Sequence, residues 1–213
     1  VADVNGDGLE DFFVGAPHGQ AAALFIQLAD GRFAKSDNPV FSEDKDFEDT
    51  GSAFFDADGD GDPDLLVASG SYEWEPNDPH YQPRLYLNDG KGTFTKSSSL
   101  PQWHSSASCV KPVDFDGDGD QDVFIGGRQQ PKRYPEPGRS ALFLNDGKGI
   151  FTNATTEVCP ELEFAGMVKD ALWTDLNADD NPDLVVVGEW MPISFWTQEN
   201  GKLINKTGAY LPD

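Results

Sequence analysis

Asp56-Ala57-Asp58-Gly59-Asp60-Gly61-Asp62-Pro63-Asp64, followed at once by Leu65-Leu66-Val67, is the stretch whose reading decides the fold. Acids at positions 1, 3, 5 and 9 of a glycine-bent loop run straight into a short apolar segment. The pattern recurs as Asp3-Val4-Asn5-Gly6-Asp7-Gly8-Leu9-Glu10-Asp11 before Phe12-Phe13-Val14, and as Asp114-Phe115-Asp116-Gly117-Asp118-Gly119-Asp120-Gln121-Asp122 before Val123-Phe124-Ile125. A last copy reads Asp175-Leu176-Asn177-Ala178-Asp179-Asp180-Asn181-Pro182-Asp183 before Leu184-Val185-Val186-Val187. The first aspartates lie 53, 58 and 61 residues apart, so the chain is a repeat array.

Each apolar run is short, rich in β-branched or aromatic residues, and bounded by Gly or Ala, which predicts a buried strand. A hairpin follows it. Leu85-Tyr86-Leu87-Asn88-Asp89-Gly90-Lys91-Gly92-Thr93-Phe94-Thr95 is nearly duplicated at 142–152, with weaker copies at 24–34 and 194–205. Asp-Gly and Asn-Gly between apolar alternations favour tight hairpins because both residues accept positive φ. Another apolar segment precedes loops 2, 3 and 4, at Ser52–Phe55, Cys109–Val113 and Ala171–Thr174. Each unit is therefore strand, acidic loop, strand, connection, strand, tight turn, strand. The expectation is an all-β chain of four four-stranded antiparallel units, one propeller blade each. The units run over 1–50, 51–107, 108–165 and 166–213, within a single domain of 1–213. Unit 1 lacks its first strand, since only Val1 and Ala2 precede Asp3. No helical periodicity is found.

Three side-chain oxygens at positions 1, 3 and 5 converge when the backbone curls about a point, and glycine at position 6 permits the bend. A carboxylate at position 9 closes the cage, with a main-chain carbonyl near position 7. Hard oxygen ligands on a flexible loop suit calcium, and no Cys or His enters the pattern, which disfavours zinc. The candidate ligands are Asp3, Asn5, Asp7, Leu9 and Asp11; Asp56, Asp58, Asp60, Asp62 and Asp64; Asp114, Asp116, Asp118, Asp120 and Asp122; and Asp175, Asn177, Asp179, Asn181 and Asp183. Up to four calcium ions are expected. An EF-hand would need a bidentate Glu at position 12, which here is Val14, Val67, Ile125 and Val186. Loop 4, with Asn177 in place of a carboxylate and Asp180 in place of glycine, is expected to bind most weakly.

Of the 38 acidic residues, 18 lie in these loops, against only 15 Lys and Arg in the whole chain and a net charge of −23. Nucleic acid and anionic membrane surfaces are poor partners for such a chain, and no segment reaches the roughly 20 apolar residues of a membrane-spanning helix. The chain opens directly on a motif and reads as an internal piece of a longer protein.

The pattern Asp-x-Asp/Asn-x-Asp-Gly-x-x-Asp before an apolar strand resembles the FG-GAP repeat, and Val14-Gly15-Ala16-Pro17 matches the second half of that name. The Leu-Asn-Asp-Gly-Lys-Gly-x-Phe-Thr hairpins look like bacterial VCBS-type repeats. The resemblance covers essentially the whole chain. It implies an integrin-α-like calcium-binding β-propeller, commonly seven-bladed, of which this chain is an arc. It also implies an extracellular, cell-surface or periplasmic setting and roles in adhesion or ligand recognition.

Strand order puts the acidic loops and tight turns on one face and the remaining connections on the other. Two of those connections are long. One, 71–84, carries Tyr72, Trp74, His80 and Tyr81; the other, 128–140, carries Arg128, Lys132, Arg133, Tyr134 and Arg139. Long loops on a rigid scaffold are usual places for function. The leading expectation is a non-catalytic module that recognises a protein or carbohydrate. The rivals are the propeller of a polysaccharide lyase or glycosidase, with Tyr72, His80, Tyr81 and Arg133 as raw material, and a structural spacer. Cys109 reads as a buried strand residue and Cys159 as a linker residue, which favours two unbonded thiols.

Overall fold

The computed structural model describes residues 1–211. Its strands form four antiparallel meanders, each ordered along the sheet as along the chain. Unit 1 is β1 (Phe12–Val14), β2 (Ala23–Gln27) and β3 (Phe33–Lys35). Unit 2 is β4 (Asp49–Phe55), β5 (Asp64–Ser69), β6 (Arg84–Asn88) and β7 (Phe94–Ser97). Unit 3 is β8 (Ala107–Val113), β9 (Asp122–Gly127), β10 (Ala141–Asn145) and β11 (Phe151–Asn153). Unit 4 is β12 (Met167–Thr174), β13 (Asp183–Glu189), β14 (Ser194–Glu199) and β15 (Lys202–Asn205). The all-β blade architecture is as the repeats predict. In unit 1 the place of the first strand is marked by an isolated antiparallel bridge between Ala2 and Asp11.

Alternation along each strand sends side chains to opposite faces of a sheet, and both faces are used. Phe13, Leu24 and Ile26 of unit 1 meet Leu65, Val67, Tyr86 and Phe94 of unit 2. On its other face unit 2 offers Leu66, Ala68 and Leu85 to Val123, Ile125, Phe143 and Phe151 of unit 3. Unit 3 in turn offers Phe124 and Leu142 to Leu184, Val186, Trp196 and Leu203 of unit 4. The core is thus three sheet-on-sheet layers in a row, and a continuous apolar strand such as β5, buried at all six positions, is what packing on both faces requires.

Short helices, which the strand pattern did not predict, occur in the connections: α1 (Pro39–Glu43), α2 (Thr155–Val158) and α3 (Thr207–Tyr210), with 3₁₀ turns at Pro79–Tyr81 and Pro160–Phe164. Each is a turn or so long, too short to write a 3.6-residue period into the sequence. They plug the layers: Phe41 of α1 lies between units 1 and 2, and Val158 of α2 between units 3 and 4. Beyond Lys206 the chain makes the helical turn α3, and Pro212 and Asp213 lie outside the described residues.

The first strands β4, β8 and β12 approach one another across units, and glycine sets how closely. A methyl group on Gly51 would sit 2.9 Å from both the Cys109 Cα and the Ser108 carbonyl oxygen. Those are backbone atoms, so the strands themselves would have to separate. Gly51→Ala is expected to cost about 1–3 kcal/mol, seen as a lower urea midpoint with an unchanged m-value, whereas Ser52→Ala next to it should be nearly neutral.

Candidate metal centre

The position-9 aspartates organise each acidic loop. Asp11, Asp64, Asp122 and Asp183 are 0–1% exposed, and each engages both carboxylate oxygens in the same way. Oδ2 accepts the backbone N–H of position 2, from Val4 at 3.1 Å, Ala57 at 2.8 Å, Phe115 at 2.9 Å and Leu176 at 2.9 Å. Oδ1 accepts the backbone N–H at the end of the third strand, from Gln27, Asn88, Asn145 and Gln198, in every case at 2.8 Å. This residue ties the loop to its own hairpin, a structural task that the sequence pattern alone did not reveal.

The position-1 carboxylate is the post around which the loop winds. Gly6 and Gly8 donate to opposite oxygens of Asp3 at 2.8 and 2.7 Å; Gly59 and Gly61 do so to Asp56 at 2.8 and 3.0 Å; Gly117 and Gly119 to Asp114 at 2.9 and 3.2 Å. Loop 4 makes the same wrap through the Asp179 and Asp180 amides. Glycines at positions 4 and 6 have φ between +73° and +96° in loops 1 to 3, and in loop 4 Ala178 and Asp180 adopt +59° and +65°. Asp is one of the few side chains that enter this region readily, so loop 4 keeps the path at some cost. At position 7, Asp62 and Asp120 lean on the hairpin of their own unit: a Cβ on Gly90 or Gly147 would meet their carboxylates at 2.3 Å.

The four loops differ in charge packing. In loop 2 an oxygen of each of Asp56, Asp58 and Asp64 falls within 4.8 Å of the others, and Asp114, Asp116 and Asp122 repeat this in loop 3. Burial, then the neighbouring Asp60, pushes the Asp58 carboxyl above its ordinary range; burial and Asp118 do the same to Asp116. Burial likewise lifts Asp64 and Asp122 to about 6, against the pull of their backbone donors. In loops 1 and 4 position 3 is an amide, and its NH₂ donates to position 5, from Asn5 to Asp7 at 3.2 Å and from Asn177 to Asp179 at 2.9 Å. There the Gly8 amide holds Asp3 low and the Asn181 amide does the same for Asp179. Loops 2 and 3 thus gather oxygen-only, mutually repelling carboxylates that could hold a hard divalent cation; in loops 1 and 4 an amide proton relieves the same repulsion.

A second feature went unread in the sequence. The residue closing the third strand, taken only as part of a turn signal, reaches into the preceding unit. The Asn88 amide donates to the Val4 carbonyl at 2.9 Å, Asn145 to Ala57 at 2.8 Å, and Gln198 to Phe115 at 3.3 Å. Its recurrence in the Leu-Asn-Asp-Gly motif was the available signal.

On the opposite face, the long connections are partly packed on themselves. Trp74 stacks on His80 at 4.1 Å with His18 edge-on at 5.1 Å, and Tyr81 is buried with its hydroxyl donating to the Trp74 carbonyl. Arg133 pairs with Glu136 of its own loop at 3.8 Å. Lys132 reaches Glu75 and joins the two connections. A polar cavity of about 380 Å³ opens beside them, lined from units 2, 3 and 4 by Glu48, Thr50, Tyr72, Ser106, Arg128 and Lys169. Glu189 bridges Arg128 at 2.9 Å and Lys169 at 3.1 Å, and the next residue, Trp190, is 84% exposed. Cys109 and Cys159 are separate buried thiols. No helix among the described residues is long and apolar enough to cross a membrane.

A family model described as FG-GAP-like repeat matches residues 3–67, 74–125 and 114–186. No curated protein matches the chain. Among solved structures it is similar to an exotype rhamnogalacturonan lyase, YesX, at 14% identity and a TM-score of 0.41, over 92% of this chain and 36% of that one. The chain thus spans about a third of that protein's length.

The raised carboxyls carry a sign that can be tested. A carboxyl that titrates near 3.8 when unfolded and at about 6 when folded binds its proton more tightly in the fold. Its contribution to stability is therefore greatest at low pH and is lost as pH rises from about 4 through 6. In chelator, the urea midpoint is expected to fall between pH 4.5 and 7; saturating divalent cation should reverse the trend, since the ion replaces the protons. A midpoint indifferent to both would show that Asp64 and Asp122 ionise without cost.

Proposed function

This chain belongs to the FG-GAP-like repeat family, and on that premise we propose that it is a calcium-binding, non-catalytic β-propeller module for extracellular recognition or adhesion. The observation that carries the calcium reading is the pair of three-carboxylate clusters at equivalent positions of units 2 and 3. They are built on a backbone already wrapped around the position-1 aspartate and contain oxygen donors alone. Asp56, Asp58, Asp60 and Asp64, with Asp114, Asp116, Asp118 and Asp122, would hold the ions, and calcium would supply the positive charge these clusters lack. Asn5 and Asn177 make loops 1 and 4 the weaker sites. The reading of the opposite face rests on its polar cavity at the junction of three units, with exposed Trp190 on a residue next to the Glu189 bridge. A protein or carbohydrate ligand is the partner expected there, outside the cell.

Calcium is expected to raise the melting temperature. A site held at a hundredfold excess over its Kd contributes about 2.7 kcal/mol, and a chain of this size shifts by roughly 2–4 °C per kcal/mol. Two sites therefore give on the order of 10–20 °C. Asp58→Asn with Asp116→Asn should abolish most of this shift, whereas Asp7→Asn with Asp179→Asn should remove little. An unchanged melting temperature on adding EDTA would refute the calcium reading. For the recognition face, Arg128→Ala with Lys169→Ala is expected to lose at least tenfold in affinity for any ligand found on glycan and protein arrays, with the calcium shift intact.

A further inference from the structure

Unit 2 departs from the other units at two buried positions, and both departures meet in one place. The residue paired across the sheet with position 12 of the acidic loop is Ala23 in unit 1, Ala141 in unit 3 and Ser194 in unit 4. In unit 2 it is Arg84. Two residues further on, Phe25, Phe143 and Trp196 are matched by Tyr86. Opposite Tyr86 stands Lys96, where unit 1 has Lys35 and units 3 and 4 have Asn153 and Asn205.

These side chains form one polar line. Arg84 pairs with Asp49 and donates to the Tyr86 hydroxyl at 3.2 Å. Tyr86 donates to Asp44 at 2.7 Å, and Asp44 also takes the Lys96 ammonium at 2.6 Å. Folding does not call for this line. Arg84 is 4% exposed, and its Nε has no hydrogen-bond partner among the described residues. A charge that deep is costly to desolvate, and an orphaned donor adds to the cost. Alanine fills the same place in units 1 and 3.

The line supports a cavity of about 340 Å³ beside unit 2. Arg84 lies 4.4 Å from the centre of the Phe47 ring and the Lys96 ammonium 5.1 Å from it, so two cations hold that ring in place. Pro79 and Pro83, whose φ is fixed by their own rings, and Leu100 complete the apolar lining. Gln82 spends both ends of its amide on the segment opposite: Nε2 donates to the Pro101 carbonyl at 3.0 Å, and Oε1 accepts the Trp103 N–H at 3.0 Å. The cavity is therefore preformed. Its lining comes from residues between 47 and 104 and owes nothing to either end of the chain.

The polar groups around it are of one kind. Lys96, 41% exposed, keeps two ammonium protons after Asp44 has taken one. Gln102 and His104 bring an amide and an imidazole that bond to no other described residue. No described acid lines the cavity, although 38 of the 213 residues are acidic. Asp44, Asp49 and Asp78 are already paired with Lys96, Arg84 and His80. An apolar cavity furnished with donors and cleared of carboxylates matches a ligand with an apolar body and one negative group.

We propose that this cavity binds a small amphipathic anion, an aryl or short alkyl carboxylate. Its body would rest on Phe47, Pro79, Pro83 and Leu100, and its carboxylate would take protons from Lys96, Gln102 and His104. The site is separate from the metal loops and from the cavity beside Arg128 and Lys169, so it stands or falls independently of both.

Isothermal titration calorimetry of the 213-residue chain in calcium tests this. The probes are 2-naphthoate, indole-3-acetate and octanoate, with 2-naphthylmethanol as the uncharged counterpart of the first. At least one acid is expected to bind with a Kd below about 1 mM, as ligands of this size do in a preformed pocket. The naphthoate should bind roughly five- to tenfold tighter than its alcohol, the worth of one charge-assisted hydrogen bond. Lys96→Gln should remove that advantage and leave the alcohol unmoved. Ser98→Trp, at an exposed position in the lining, should block both. Lys35→Gln, at the matching position of unit 1, should change neither, and all three variants should keep the melting temperature. Failure of every acid to bind below about 1 mM would overturn the proposal. So would equal affinity for acid and alcohol, or an acid affinity that Lys96→Gln and Ser98→Trp leave unchanged.

Discussion

Everything in this fold hangs on a buried carboxylate that accepts two backbone N–H groups. Placing an ionised aspartate where water cannot reach it is costly. The cost is offset here by two short charge-assisted hydrogen bonds, one to the acidic loop and one to the end of the third strand. Asparagine could not replace it, because its NH₂ cannot accept from a backbone amide. One side chain thus fixes the bend between the first two strands and the register of the hairpin that follows. That is why Asp stands at position 9 in all four loops, while positions 3, 6 and 7 vary.

From this anchor a hydrogen-bonded line runs through the molecule. Asp11 holds the Val4 amide, the Val4 carbonyl takes the Asn88 side chain, and the Asn88 amide is held by Asp64. The same three steps lead from Asp64 through Ala57 and Asn145 to Asp122, and from there through Phe115 and Gln198 to Asp183. Each apolar layer joins two neighbouring units, so stability is close to a sum of unit and junction terms. Unlike the apolar layers, whose side chains vary in shape from junction to junction, the latch is nearly identical at each one. It therefore sets the relative position of successive sheets, and packing fills what that position leaves.

The sequence made the sheets legible because their signals are local. Apolar runs of three or four residues, Asp-Gly turns and a repeat of fifty-odd residues need no knowledge of the rest of the chain. What it hid was non-local. Asn88 and Asn145 look like ordinary members of an Asn-Asp-Gly turn until the preceding unit is in place. Asp64 looks like a metal ligand and nothing more until its depth is known. Trp74, His80 and Tyr81 look like separate loop residues until the fold stacks Trp74 on His80, sets His18 edge-on to it and buries Tyr81. The helical turns escaped because Phe41 and Val158 serve a layer between units, and no pattern within a unit demands them.

Electrostatics then separates the inner units from the outer ones. Loops 2 and 3 crowd three carboxylates within 4.8 Å of one another, and burial deepens their mutual repulsion, since charges interact more strongly as water is withdrawn. Nothing in the hydrogen-bond pattern requires this: Asn5 and Asn177 support the same loop path with one charge fewer, their Oδ1 atoms accepting the next amide as Asp58 and Asp116 do. The second acid at position 3 is thus surplus to folding in loops 2 and 3, and it raises the free energy of the ion-free state. Such a residue makes physical sense where a counter-charge is bound, because the repulsion it adds without the ion becomes attraction with it. The geometry that winds the loop is common to all four units; the extra charge is confined to the two central ones, and it is there that a bound cation would change stability most.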